Sequence, residues 1–103
     1  MVKREDREAA RLAAREAAAQ GLRQEWKVTF YEADEDGHRK EGGRAFTRYV
    51  TTSPFASAIP TAHAVFTALH HDPDVPEVDM MRYDIDKTQL VPQAVDEAQE
   101  QAR

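Results

Sequence analysis

The fold of this chain is decided by residues 25–33, EWKVTFYEA, in which apolar and polar side chains alternate. Successive side chains of a β-strand point to opposite faces of the sheet, so the alternation predicts a strand with one apolar face. That face is formed by Trp26, Val28 and Phe30, and the opposite face by Lys27, Thr29 and Tyr31. This is the most apolar of the predicted strands, so we expect it at the centre of a sheet.

A second alternating run at residues 44–52 predicts the other arm of a β-hairpin. The connecting loop, residues 34–43, is polar and contains two glycine-bearing turn sequences. The alternation leaves open which face of this second strand is buried. Phe46 and Val50 lie on one face, and Ala45 and Tyr49 lie on the other.

Helical spacing replaces the alternation further along, and Pro60 is expected in the first turn of a helix that ends within residues 70–73. Its apolar stripe consists of Ile59, Ala62, Val65, Phe66 and Leu69. This stripe would cover the apolar face of the first strand. A third strand is predicted over residues 77–86, where the adjacent Met80 and Met81 break the alternation and indicate either a bulge or burial of both faces.

Two further helices are predicted at the ends of the sequence, over residues 3–20 and 92–103. Both carry stripes of alanine, which bury little apolar area and allow two helices to approach closely. Three arrangements are open for them: packing on each other within one chain, packing across a dimer, or loose attachment.

Together these elements predict an α+β fold with the topology α-β-β-α-β-α. The sheet would have three mostly antiparallel strands in the order 2-1-3, with the middle helix packed on one face. We expect a single domain over residues 1–103, with an N-terminal helix at 1–22, a ββαβ core at 25–86 and a C-terminal helix at 92–103.

The composition is that of a globular chain, with 41% hydrophobic and 32% charged residues. The absence of cysteine excludes disulfides and thiolate zinc sites, and it suits a reducing, cytoplasmic location. No apolar run is long enough to span a membrane, so we expect a soluble protein without a membrane partner. The formal net charge of −5 disfavours a general nucleic-acid binder, because phosphate binding needs a basic field.

Candidate metal-binding and catalytic residues do not complete a known pattern. Residues 32–37, EADEDG, imitate the opening of a calcium loop, but Gly43 stands where the closing glutamate belongs. His63 and His70 lie seven residues apart on the predicted helix, and this separates them by about 10 Å along its axis. The acidic residues within 72–86 have no predicted cleft around them, and no nucleophile motif is present. We therefore expect no metal, no small-molecule cofactor and no catalysis.

The remaining polar and aromatic side chains indicate a surface for a protein partner. The candidate residues are Lys27, Tyr31, Arg44, Arg48, Tyr49, Asp79, Arg82 and Tyr83. The tyrosines would line the sheet face opposite the middle helix, unless a terminal helix covers that face.

We therefore expect a small non-catalytic interaction or regulatory module that binds another protein or a second copy of itself. Its alanine-rich terminal helices and its acidic third-strand region are the expected surfaces. The alternative is a nucleic-acid-binding module that stacks bases on the tyrosines and contacts phosphates through Arg44 and Arg48. A metal-binding protein or an enzyme is the third hypothesis.

Overall fold

The structure is a computed structural model that describes residues 4–93, with side chains from residue 6 onward. Its elements are helix α1 (Arg4–Ala19), strand β1 (Leu22–Tyr31), strand β2 (Ala45–Thr52), helix α2 (Ala58–His70) and strand β3 (Asp84–Pro92). The sheet has three strands in the order β2-β1-β3, and both pairings are antiparallel. The predicted α+β class and strand order are confirmed.

The hydrophobic core lies between β1 and α2. Trp26, Val28 and Phe30 are at most 3% exposed, and they pack against a stripe of α2. That stripe consists of Ala62, Val65 and Leu69. The indole N–H of Trp26 donates to the hydroxyl of Thr52 at 2.7 Å, so its polar atom is also satisfied. The expected covering of β1 by this helix is confirmed.

Pairing with β1 decides which face of β2 is buried. Val50 lies opposite Trp26, and Phe46 lies opposite Phe30. Both β2 side chains pack against the core, whereas Tyr49 on the other face is 61% exposed. The Phe46/Val50 face is therefore the inner one.

The third strand begins later than predicted, at Asp84 instead of residue 77. The carboxylate of Asp79 accepts hydrogen bonds from the backbone N–H groups of Met81 and Arg82, and these local bonds bend the chain into a turn. The bulge lies at Thr88, the extra residue between the Glu25 and Trp26 pairings, and not at the methionines.

The prediction of a helix from residue 92 is wrong at its first residue, because Pro92 is the last residue of β3. Residues 94–103, the rest of that prediction, lie outside the described residues.

Helix α1 agrees with the predicted span and ends just before Gly21, whose φ of 72° is the left-handed conformation that favours glycine after a helix. All described side chains from residue 6 to residue 13 are exposed, including Leu12 at 56%. Ala17 is the only buried side chain among those described in α1. Neither helix in residues 4–93 has the length and apolar character needed to cross a membrane.

Asp79 is a buried carboxylate, 1% exposed, that joins two loops. Besides Met81 at 2.8 Å and Arg82 at 3.2 Å, it accepts the backbone N–H of Arg39 at 3.0 Å, from the loop between β1 and β2. Burial acts to raise the pKa of Asp79, but these backbone donors and the nearby His38 outweigh it and leave the pKa below its usual value.

We expect Asp79→Ala to destabilise the protein by roughly 2–4 kcal/mol, because three backbone donors lose their acceptor. Chemical denaturation monitored by tryptophan fluorescence measures this change in the free energy of unfolding. Asp74→Ala is the matched control, since Asp74 is exposed in the same region, and it should change stability little. Equal effects of the two variants would contradict a structural role for Asp79.

The lowered pKa of Asp79 also predicts a pH dependence. The stabilisation is complete above the unfolded-state pKa of about 3.9 and is lost as the pH falls through the lower folded-state pKa. The difference in stability between the wild type and Asp79→Asn should therefore be constant near neutral pH and narrow below about pH 4. A difference that grows on acidification would have the wrong sign.

Candidate protein-interaction site

Strand β2 is an edge strand, and every second residue turns its backbone polar groups away from the sheet. The N–H of Glu32 donates to the carbonyl of Arg44 at 2.8 Å, so this register position is a hydrogen-bonded pair. Such pairs alternate along antiparallel strands, and the outward-facing residues of β2 are Ala45, Thr47, Tyr49 and Thr51. Within residues 4–93 their N–H groups have no hydrogen-bond acceptor.

Two of the outward-facing carbonyls have arginine donors. Arg48 donates to the carbonyl of Thr47 at 3.0 Å, and Arg23 donates to the carbonyl of Thr51 at 3.2 Å. Both donors are flexible side chains near solvent, so a backbone N–H from another strand can replace them without opening the fold. We call the four outward-facing residues, with their free N–H groups, the β2 edge.

An apolar groove of about 460 Å³ runs beside the β2 edge, between β2 and α2. Its apolar lining comprises Val50, Ala64, Val65, Ala68 and Leu69. A strand that paired with β2 would point alternate side chains into this groove, because side chains alternate between the faces of a sheet.

One end of the groove is polar. The guanidinium of Arg48 lies 3.9 Å from the carboxylate of Asp72, and the two side chains are 43% and 39% exposed. An exposed pair at this distance contributes little to stability, so both charges remain accessible to a bound segment.

The opposite edge of the sheet, β3, is protected against pairing. It carries three charged side chains, and the bulge at Thr88 interrupts its ladder. The Thr88 hydroxyl donates to the carboxylate of Glu25 at 2.6 Å, which holds the bulge in place. Pro92 closes the strand and has no N–H to offer. These are the features by which natural edge strands avoid association, and β2 has no charged residue except Arg48.

The structure distributes the candidate partner residues over different surfaces. Lys27, Tyr31 and Tyr49 lie on the sheet face opposite α2, as the alternation indicates. Arg48 lies on the α2 side of the sheet, and Arg44 lies beside Glu32 with its guanidinium 5.2 Å from the Phe46 ring.

The other three candidates belong to the region around residues 79–83. Tyr83 packs against Phe30 on the core side, with ring centroids 5.1 Å apart, so it does not join the tyrosines of the open face. Asp79 is buried in its turn, and Arg82 is exposed beside it.

Tyr31 already has partners within the chain. Its hydroxyl donates to Asp84, and the guanidinium of Arg39 lies 3.8 Å from the centroid of its ring. The hydrogen bond to Asp84, with burial and the negative charge of that carboxylate, raises the pKa of Tyr31 despite the nearby Arg39. One face of the ring is therefore covered.

A second exposed apolar surface lies on the far side of α2. Met80 is 54% exposed and Met81 80%, and both line a groove of about 520 Å³ together with Phe66 and His70. Ile59, which is 74% exposed, lines a smaller cleft next to it, with Met80 and Phe66. Sequence reasoning placed the methionines in a strand and so missed this surface. The broken alternation at Met80-Met81 was the available signal.

One cluster of potential metal ligands lies on the surface of the described part of the chain. Asp34, Asp36 and His38 have ligand atoms within 4.8 Å of one another. Asp34 already accepts the backbone N–H groups of Asp36 and His38, as in an ordinary polar turn. The carboxylate of Glu32, which opened the calcium-like pattern, instead accepts the N–H of Arg44 and pairs with Lys40. These two contacts, chiefly the backbone one, lower the pKa of Glu32.

Comparison with known proteins adds no identification: no protein-family model, no curated protein and no solved structure matches the chain.

The open β2 edge predicts an alternating pattern of amide hydrogen exchange. In the monomer, the outward amides of Thr47, Tyr49 and Thr51 should exchange at least about tenfold faster than the inward amides of Arg48 and Val50, because only the inward ones donate within the sheet. Residue-resolved exchange by mass spectrometry, at a dilution where sedimentation shows a monomer, measures the pattern. Uniform protection along β2 under those conditions would contradict an open edge.

Proposed function

We propose that this chain is a non-catalytic protein-interaction module that binds an extended segment of another protein as an added strand at the β2 edge. The observation that carries the proposal is the row of outward-facing N–H groups beside an apolar groove. Strand addition uses both features, since the backbone bonds supply affinity and the groove selects side chains.

The asymmetry between the two edges of the sheet supports this proposal. A chain that only had to avoid association would protect both edges. Here β3 has three charged side chains, a bulge and a terminal proline, whereas β2 has one charged side chain and neither of the other features. Tyr49 adds a large aromatic surface next to the open edge, and exposed tyrosines are frequent at the energetic centres of protein interfaces.

Charge and ring access favour a protein partner over a nucleic acid. On the open sheet face, Asp86 lies opposite Lys27 and Asp84 lies opposite Thr29, so the face has no basic field for phosphates. The ring of Tyr31 is covered by Arg39 on one side, which leaves less surface on which a base can stack.

Several reactive side chains serve the fold, which supports a non-catalytic role. Asp79 holds two loops together, and Glu32 holds the residues that precede β2. We propose no cofactor for the module. We also propose a cytoplasmic location, because the absence of cysteine suits a reducing compartment.

Selection from a random decapeptide library, with the protein at a monomeric dilution, tests the proposed function. We expect peptides with apolar residues at alternate positions. Thr47→Pro should weaken their binding by at least about tenfold, because it removes an outward N–H and leaves the bonds to β1 intact. Fluorescence anisotropy with a labelled peptide measures the dissociation constant, and circular dichroism checks the fold.

Thr47→Val is the matched control, because it keeps the backbone N–H and changes only the side chain. It should bind the selected peptides within about twofold of the wild type. Equal binding by the proline and valine variants would show that backbone pairing at β2 is not the mode of recognition.

A further inference from the structure

We propose that the strand received by the β2 edge is β2 of a second copy of this chain. The pairing is antiparallel around a two-fold axis at Tyr49, and it makes a continuous six-stranded sheet. This inference rests on the proposed function and names the partner for the same site.

The register follows from which residues face outward. Hydrogen-bonded pairs across the interface must join outward-facing residues of the two copies. Two registers meet this condition and pair all but one residue of each β2 strand. One register places Arg48 opposite Arg48 of the second copy, with Cα atoms about 4.5 Å apart as in a non-hydrogen-bonded pair. Like charges in direct opposition are destabilising, so the other register, centred on Tyr49, is favoured.

The Tyr49-centred register pairs compatible side chains. Tyr49 faces Tyr49 of the second copy, and Thr47 faces Thr51, all on the open face of the sheet. Aromatic pairs and threonine pairs directly across antiparallel strands are each stabilising. On the inner face Arg48 lies opposite Val50, which keeps the two arginines apart.

The same two-fold axis places the α2 helices side by side on one face of the combined sheet. Neighbouring strands lie about 4.8 Å apart, so the two β1 strands of the dimer would be about 14 Å apart. Each α2 helix lies over β1 and β2, and the two helices would therefore be near the usual packing distance of about 8–10 Å. The side chains of α2 toward β2 include the exposed Ala64 and Ala68, which are small enough for that approach. The second helix would thereby fill the groove.

The distribution of charge also fits a second copy. Strand β2 contains no acidic residue, so the two copies bring no acidic side chains of β2 together. Of the three acidic residues in the sheet, Asp84 and Asp86 lie on β3 at the greatest distance from the axis, and Glu25 lies on β1.

Pairing through β2 alone gives a closed assembly. A two-fold axis uses the same edge of both copies, and the protected β3 edges at the two ends of the six-stranded sheet do not accept further strands. The expected product is a dimer and not a fibre.

Sedimentation equilibrium of the full chain between about 1 μM and 1 mM tests the proposal. We expect the wild type to reach twice its 11.7 kDa mass. Thr47→Pro and Tyr49→Lys should remain monomeric, because one loses an outward N–H and the other brings two lysines together. Leu90→Lys, at a residue of β3 that is 46% exposed, and Thr47→Val should dimerise like the wild type.

Cysteine cross-linking tests the register, because the chain has no cysteine of its own. Tyr49→Cys should form a disulfide-linked dimer on mild oxidation, since directly opposed Cα atoms lie within bridging distance. Arg48→Cys should cross-link at least about tenfold less, because position 48 of the second copy lies diagonally across the interface and not directly opposite. The reverse preference would overturn the Tyr49-centred pairing.

The outcomes separate this inference from the proposed function. A wild type that is monomeric at 1 mM, or a dimer that persists in both Thr47→Pro and Tyr49→Lys, overturns the second copy as occupant. If the selected decapeptides still bind with the expected sensitivity to Thr47→Pro, the proposed function stands and only the occupant is wrong. If no peptide binds and no dimer forms, both proposals fail.

Discussion

The packing of α2 on β1 buries three apolar side chains of that strand, Trp26, Val28 and Phe30. The rest of the fold depends on this contact. Complete burial of such side chains stabilises a fold by about 1.5–3 kcal/mol each, so a small domain depends strongly on them. Because all three lie on β1, that strand is central and the other two become edges. The helix covers one face of the sheet, and no helix within residues 4–93 covers the exposed Tyr49 on the other.

The two edge strands differ in how they are protected against pairing with another strand. Strand β3 carries its own protection in its charges, its bulge and its final proline. Strand β2 is protected only by Arg23 and Arg48, which occupy two outward carbonyls and leave the outward N–H groups without an acceptor. The groove between β2 and α2 adds apolar surface at the same place. Backbone pairing and apolar burial are thus available together at one edge, and the proposed interaction uses both.

The acidic side chains that suggest metal binding or catalysis in the sequence are largely used to shape loops. Asp79 accepts three backbone N–H groups, and Glu32 accepts one and binds two basic side chains. The loops they organise are also joined through backbone bonds, from Asp79 to Tyr31 at 2.9 Å and from Ala33 to Glu77 at 2.8 Å. The carboxylate oxygens of Asp79 and Glu32 are thus satisfied by partners within the chain.

The elements with regular periodicity could be predicted from the order of the residues. The alternation of residues 25–33 and 44–52 and the stripe of α2 are local patterns, so they specified the hairpin, the covering helix and the strand order. The tertiary structure alone decided the inner face of β2, because Phe46 and Ala45 belong to equally regular alternations and only pairing with β1 separates them. It also decided where β3 begins. The turn at Asp79 includes local bonds to Met81 and Arg82, but its third bond, from Arg39, comes from a distant loop. The candidate site also depends on the tertiary structure. Tyr49 and Arg48 were recognisable as surface residues, but a free strand edge is a relation between strands that no local pattern contains.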